Sequence, residues 1–287
     1  MQLSMEGHVV KMGAVWDRTT KFLRANSGAV MTIAALAIFL PTVVGTVIQA
    51  ALAGDGETTM SAAGGIVNLI TSVITIFGQI ALVALAIDAT LGTGGAFSVA
   101  GRRLLPVIGV SIVVGLVFTL LLLPFLFVIF GSGVDMAALQ AGDPSGMPEL
   151  SGGSALFLGL YSLVLLPLFF WLAARFSVIM PVIVWERRGI GAIGRAFRLT
   201  RGHALRIVGV FILFLIVFMV AALAIGGVFG AIFALAAGGV DGMTVGGILM
   251  AIIMGLLTVV FTVLYTVFLT KLYKSLIEET EPAAVFE

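Results

Sequence analysis

Of the 287 residues, 61% are hydrophobic, 36 are glycine and only 10% are charged, against about 25% charged in ordinary globular domains. No water-soluble fold of this length can bury that much apolar side chain and still clothe its surface, so composition predicts a membrane protein. A net charge of +1 offers no field for nucleic acid. The absence of cysteine excludes disulfides, thiolate nucleophiles, iron–sulfur clusters and Cys-type zinc sites. The two histidines, His8 and His203, are in no metal-ligand spacing, and no metal or other cofactor is expected.

In chain order, a basic preface of 27 residues leads to six apolar runs near 28–52, 64–87, 105–131, 155–185, 206–235 and 244–270. Each is long enough for a spanning helix of about 20 residues and far longer than a barrel strand. The fold class expected is an all-α integral membrane bundle of six transmembrane helices, forming one membrane domain with a short tail over 275–287. Ala51-Leu52-Ala53 has the form of a signal-peptidase site, but the run before it exceeds a normal h-region, and the first span reads as a retained helix.

All 15 basic residues fall on one side of this layout. Lys11, Arg18, Lys21 and Arg24 precede the first span, and Arg102 and Arg103 lie between the second and third. Arg175, Arg187, Arg188, Arg195, Arg198, Arg201 and Arg206 surround the connection from the fourth to the fifth, and Lys271 and Lys274 end the sixth. The opposite loops, 53–63, 132–154 and 236–243, hold Asp55, Glu57, Asp135, Asp143, Glu149 and Asp241 and no basic residue. The positive-inside rule then places both termini in the cytoplasm. The loop near 132–154 contains the turn-forming GDPSGMPEL, and the tail SLIEETEPAAVFE reads as acidic and frayed.

The stretch from Gly94, GGAFSVAGRRLLPVIGV, aligns with GRAFRLTRGHALRIVGV from Gly194 at an offset of 100, with identities at Gly94/Gly194, Ala96/Ala196, Phe97/Phe197, Leu105/Leu205, Gly109/Gly209 and Val110/Val210. GAVWDRTTKFLRANSGAV from Gly13 shares the character. Three repeat units, about 5–92, 93–186 and 187–274, follow, each a basic amphipathic helix and a hairpin of two spans. In the first preface Val9, Met12, Trp16, Thr19 and Leu23 recur at helical spacing with the basic residues off that seam, as in a helix lying in the headgroup plane or capping the bundle. Two spans per unit give the units one orientation, unlike the inverted repeats of many secondary transporters.

Three groups of residues stand out as candidate sites. Arg175 sits within the long fourth run, with Pro181 and then Glu186 beyond it. The 11-residue interval is about 16 Å of straight helix, so Asp88, Glu186 across a Pro181 bend, or backbone carbonyls are its possible partners. Asp88, Arg175 and Glu186 form either a structural clamp or a substrate or headgroup site. In the second span Asn68, Ser72, Thr75 and Gln79 share one face, as interhelical hydrogen-bond donors and acceptors or as a polar lining. Arg187, Arg188, Arg195, Arg198, Arg201 and Arg206 exceed what topology requires and suit anionic lipid headgroups or an acidic partner, with Ile193, Phe197 and Leu205 available for shallow burial. Trp185 suits the aromatic belt, and Gly226 and Gly230 suit close helix packing. No nucleophile frame, carboxylate pair or phosphate loop points to catalysis.

The segment 174–213, through Arg175, Pro181, Glu186 and the RAFRLTRG element at Arg195–Gly202, resembles a bacterial family of multi-spanning proteins related to the membrane domain of glycerophosphoryl diester phosphodiesterases. The resemblance implies fold and membrane location; the hydrolase domain that carries the phosphodiesterase chemistry is absent. The expected role is a non-enzymatic inner-membrane protein organising lipid or a partner complex, with a homo-oligomer as one form of that complex. The alternative is a permease, or a permease subunit, for lipid or another amphiphile.

Overall fold

A computed structural model describes residues 11–54, 62–135, 138–139, 146–147, 150–236 and 244–280. His8, Val9, most of the GDPSGMPEL loop and the last seven residues of the tail lie outside the described residues. The described elements are helices without strands, and six helices or helix combinations are long and apolar enough to cross a membrane. This is an all-α six-helix membrane bundle. The helices are α1 (Met12–Ala25), α2 (Ser27–Ala34), α3 (Leu40–Gly54), α4 (Ala62–Ile87), α5 (Gly92–Gly131), α6 (Gly152–Phe176), α7 (Ile179–Trp185), α8 (Gly191–Leu199), α9 (Ala204–Ala236) and α10 (Val245–Thr280).

Prolines explain the irregular joints. Between α2 and α3 the turn Ala35–Phe39 widens to π geometry, the Leu40 N–H donating to the Ala35 carbonyl. Pro41 has no N–H to offer the Ala37 carbonyl and its ring would strike it, so the extra residue in the turn relieves that clash. In the fourth span the break falls at Ser177–Val178, not at Pro181. Ser177 is four residues before Pro181, where the ring collides with the carbonyl. Pro181 itself then sits in the first turn of α7, where a missing N–H costs nothing.

The preface helices are not equivalent. α1 and α8 are separate, whereas Gly92–Gly131 runs unbroken from preface into span. The break after α8 is made by Gly202 at φ 86; its counterpart at the offset of 100 is Arg102, which pays a steric penalty there and stays helical. Small residues nevertheless hold the same places. Two and six residues after Gly13, Gly94 and Gly194 stand Val15 and Thr19, Ala96 and Ala100, and Ala196 and Thr200, all at most 1% exposed.

The core is concentrated at the end of the bundle that carries α1, α8 and the basic residues, here the basic end. Ile80–Ile87 of α4, Val178–Val184 around α7 and Val267–Leu276 of α10 supply most of it, covered by Val15 and Phe22 from α1 and Ala192, Ala196 and Leu199 from α8. The apolar seam of α1 is therefore Val15, Thr19 and Phe22, shifted from the Trp16 line and spent on protein packing against α10. Trp16 is 42% exposed and edges onto Phe214. Toward the other end burial thins to isolated positions such as Leu158 and Gly246: α5 contributes nothing buried beyond Val110, and α9 nothing beyond Ile207. In α9, Gly226 and Gly230 do not bring backbones together; the methyl of Met250 occupies the space beside them. The start of the tail is also ordered, since α10 continues to Thr280 and is held by Arg18 and His203, which pair with Glu278 and Glu279.

Candidate functional site

The basic end sorts its charges into those with partners and those without. Glu186, at the C-terminal cap of α7, is the hub. Its carboxylate accepts from Arg195 Nε at 3.0 Å and the Tyr273 hydroxyl at 3.1 Å and forms an ion pair with Arg188 Nε at 2.9 Å, tying α7, α8 and α10 together. The side chains of Glu186 and Arg195 are only 14% and 12% exposed. Pairing and hydrogen bonding are what make such burial tolerable. Arg187, directly after it, adopts φ 57 to turn the chain out of α7.

Two lysines close the C-terminal end of α4. Lys271 Nζ donates to the Ala86 carbonyl at 2.7 Å and Lys274 Nζ to the Ile87 carbonyl at 2.6 Å. These carbonyls have no intrahelical donor, and cations at this pole complement the helix dipole. Lys271 also lies over the Phe22 ring of α1, 4.2 Å from its centroid.

Asp88, Arg175 and Glu186 are not brought together. Asp88 caps the short turn Ala89–Leu91, accepting from the Thr90 hydroxyl at 2.6 Å and the Thr90 N–H at 2.9 Å. Those bonds hold its carboxyl below the usual carboxylate range. Glu186 serves Arg195 and Arg188 because the chain breaks at Ser177–Val178 and α8 folds back beneath it. Arg175 takes the backbone route: its Nη1 donates to the Phe197 carbonyl at 3.0 Å, and its guanidinium lies 5.1 Å from the Trp171 ring and 5.8 Å from the Phe197 ring. Its Nε is buried with no partner among the described residues. Trp171 was findable from sequence, since it stands one helical turn before Arg175 and shares its face. Tyr273 carried no such signal, because its contact with Glu186 spans 87 residues.

The polar stripe of α4 makes no interhelical hydrogen bond among the described residues. Ser72 donates to Asn68 at 3.4 Å, both are exposed, and Thr75 and Gln79 are half-buried. The face of α4 that packs on the first span is the neighbouring one: Gly78 beside Ala37, Thr71 beside Gly45, and Gly64, whose carbonyl accepts from Gln49 Nε2 at 2.7 Å.

The arginine cluster divides. Arg195 and Arg188 belong to Glu186, while Arg187, Arg198, Arg201 and Arg206 are exposed and have no carboxylate or hydrogen-bond partner among the described residues. Of the apolar companions, Phe197 turns inward against Trp171 and Phe176, Ile193 packs partly on the core, and Leu205 stands 83% exposed. Among the described residues no group of His, Asp and Glu could hold a metal ion.

Compared with known proteins, the chain matches no family model, no curated protein and no solved structure.

Proposed function

We propose that this chain is a non-enzymatic protein of the bacterial inner membrane that gathers anionic lipid at a cytoplasmic basic end, and so organises lipid around itself or a membrane partner. The observation that carries the reading is the division of the arginines. The fold pairs the charges it needs, at Glu186 and Glu278, and leaves Arg187, Arg198, Arg201 and Arg206 exposed beside apolar Ile190 and Leu205, which are 69% and 83% exposed. Basic side chains close to an anionic surface contribute about 1 kcal/mol each and lose it to salt.

The likeness of 174–213 to the phosphodiesterase-associated membrane domains rests on Arg175, Pro181, Glu186 and RAFRLTRG, and it supports membrane residence without supplying an activity. The three-unit repeat is part of the same proposal, and the shared buried pairs after Gly13, Gly94 and Gly194 support it. The permease reading draws on exposed Asn68 and Ser72 within α4. Against it stands the aliphatic seal of Ile80–Ile87, Val178–Val184 and Val267–Leu276 at the basic end.

The test is binding of the purified protein to nanodiscs or vesicles. Salt-sensitive enrichment of phosphatidylglycerol over phosphatidylcholine, lost when Arg187, Arg198, Arg201 and Arg206 are changed to Gln, is the expected result. Equal enrichment in that variant would overturn it, and substrate flux across proteoliposomes would favour the permease.

A further inference from the structure

Arg175 is a half-buried cation that no carboxylate among the described residues neutralises. A guanidinium has five N–H donors, and the described residues supply one acceptor, the Phe197 carbonyl. Neither carboxylate within reach by sequence is available: Glu186 is held by Arg195, Arg188 and Tyr273, and Asp88 by Thr90. The Nε hydrogen is hidden from solvent and has no acceptor among the described residues. Cations at membrane depth are paired, because an unpaired one is expensive there.

The position of the group says what the missing partner is. Arg175 lies in the last turn of α6, inside the fourth span, and its Nη1 reaches the Phe197 carbonyl of α8, the amphipathic helix at the basic end, so its guanidinium belongs to the basic end of the span rather than to its middle. The ring of Trp171 on one side is 38% exposed, which puts the cage at the outside of the bundle, open toward lipid. Phe197 lies on the same flank, edge-on to Trp171 with the two ring centroids 6.1 Å apart, and Phe176 backs it, edge-on to Phe197. A guanidinium held by two aromatic rings on one flank and by the Phe197 carbonyl, with the donors of Nη2 unserved among the described residues, is suited to receive a phosphate oxygen.

We propose that Arg175, with Trp171 and Phe197, binds the phosphate of a single anionic phospholipid in the groove between α6 and α8. The site rests on the proposal above that the basic end gathers anionic lipid, and sharpens it from a diffuse, salt-sensitive cloud to one retained molecule. Arg198 and Arg201, just beyond Phe197, would recruit lipid electrostatically, while Arg175 holds it.

The experiment compares wild type, Arg175→Gln, Arg175→Lys and the double variant Arg198→Gln/Arg201→Gln, purified in detergent and delipidated. Each is titrated with phosphatidylglycerol, with phosphatidylcholine and with inorganic phosphate. Thermal midpoint and lipid retained in native mass spectra at high salt are read. The wild type should gain stability with phosphatidylglycerol and retain one molecule of it in high salt. Arg175→Gln should lose both effects, and Arg175→Lys, which keeps the charge but not the fork, should bind roughly ten-fold more weakly. The Arg198/Arg201 variant should lose the salt-sensitive binding and keep the retained lipid, so failure of the surface and failure of the groove are separate results. If Arg175→Gln does not purify folded, Arg175→Lys and Trp171→Leu carry the same comparison. Undiminished retention in the Arg175 and Trp171 variants would overturn the site. An equal shift with inorganic phosphate would also overturn it, in favour of a soluble anion.

Discussion

A carboxylate that pairs with two arginines and accepts from a tyrosine while only 14% exposed cannot be removed without stranding its partners. Arg195, 12% exposed, would remain as a buried cation without Glu186. Breaking one side of such a pair costs roughly 3–5 kcal/mol when fully buried and less at this partial exposure. Glu186→Gln should therefore lower the detergent unfolding midpoint clearly, and pairing it with Arg195→Met should recover part of the loss in a double-mutant cycle. Additive losses would show that the pair does not act as a unit. At this scale the sequence left three partners open for Arg175, of which a backbone carbonyl is the one it meets, and did not foresee that Glu186 serves Arg195 and Arg188. Arg175, Glu186 and Asp88 were legible as unusual, because charge is scarce in this chain. Their partners were not, since Tyr273 and the returning α8 reach Glu186 only through the tertiary fold.

Glycine and proline positions decide the element scale. At Gly78 an added Cβ would come within 2.8 Å of the Ala37 Cβ and 2.9 Å of the Ala37 carbonyl oxygen. That carbonyl belongs to the π turn before Pro41 and has little room to move. Gly78→Ala should separate α4 from the first span and cost about 1–3 kcal/mol, whereas Gly115→Ala, with nothing within 4 Å, should be neutral or slightly stabilising. Comparison of the two variants by chemical unfolding in mild detergent checks this; equal effects would remove the close-contact argument. Four of the spans were legible to within three residues, since apolar length dictates them, whereas the third begins 16 residues before the apolar run and the sixth continues ten beyond it, where polar and charged residues stay helical. The joints were less so. The break at Ser177–Val178 lies four residues before the proline that causes it, and the fusion of the second preface with α5 turns on one residue, Arg102 in place of the left-handed Gly202.

For the whole molecule, six candidate spans leave α1 and the end of α10 at one end, where Arg18 pairs with Glu278, and we propose from the positive-inside rule that this basic end faces the cytoplasm. Reporters fused at either terminus should be active only as cytoplasmic fusions; activity of either one outside would contradict the assignment. The same side holds the dense core, built from α4, α7 and α10 and covered by α1 and α8, while the far halves of α5 and α9 bury almost nothing. Membrane residence and helix number follow from composition alone. The one-ended core does not, because every span is apolar throughout and only contacts distinguish a side chain facing protein from one facing lipid.

The account stands on lipid being drawn to the basic end by charges the fold leaves unpaired. Its most direct measurement is the lipid composition of polymer discs cut from native membranes around wild type and around the Arg187, Arg198, Arg201 and Arg206 to Gln variant, at equal expression and unchanged topology. The account predicts discs enriched in anionic phospholipid relative to the bulk membrane for the wild type, and a return to bulk composition, apart from any molecule held at Arg175, for the variant. Wild-type discs of bulk composition, or enrichment that survives loss of the four arginines, would contradict it.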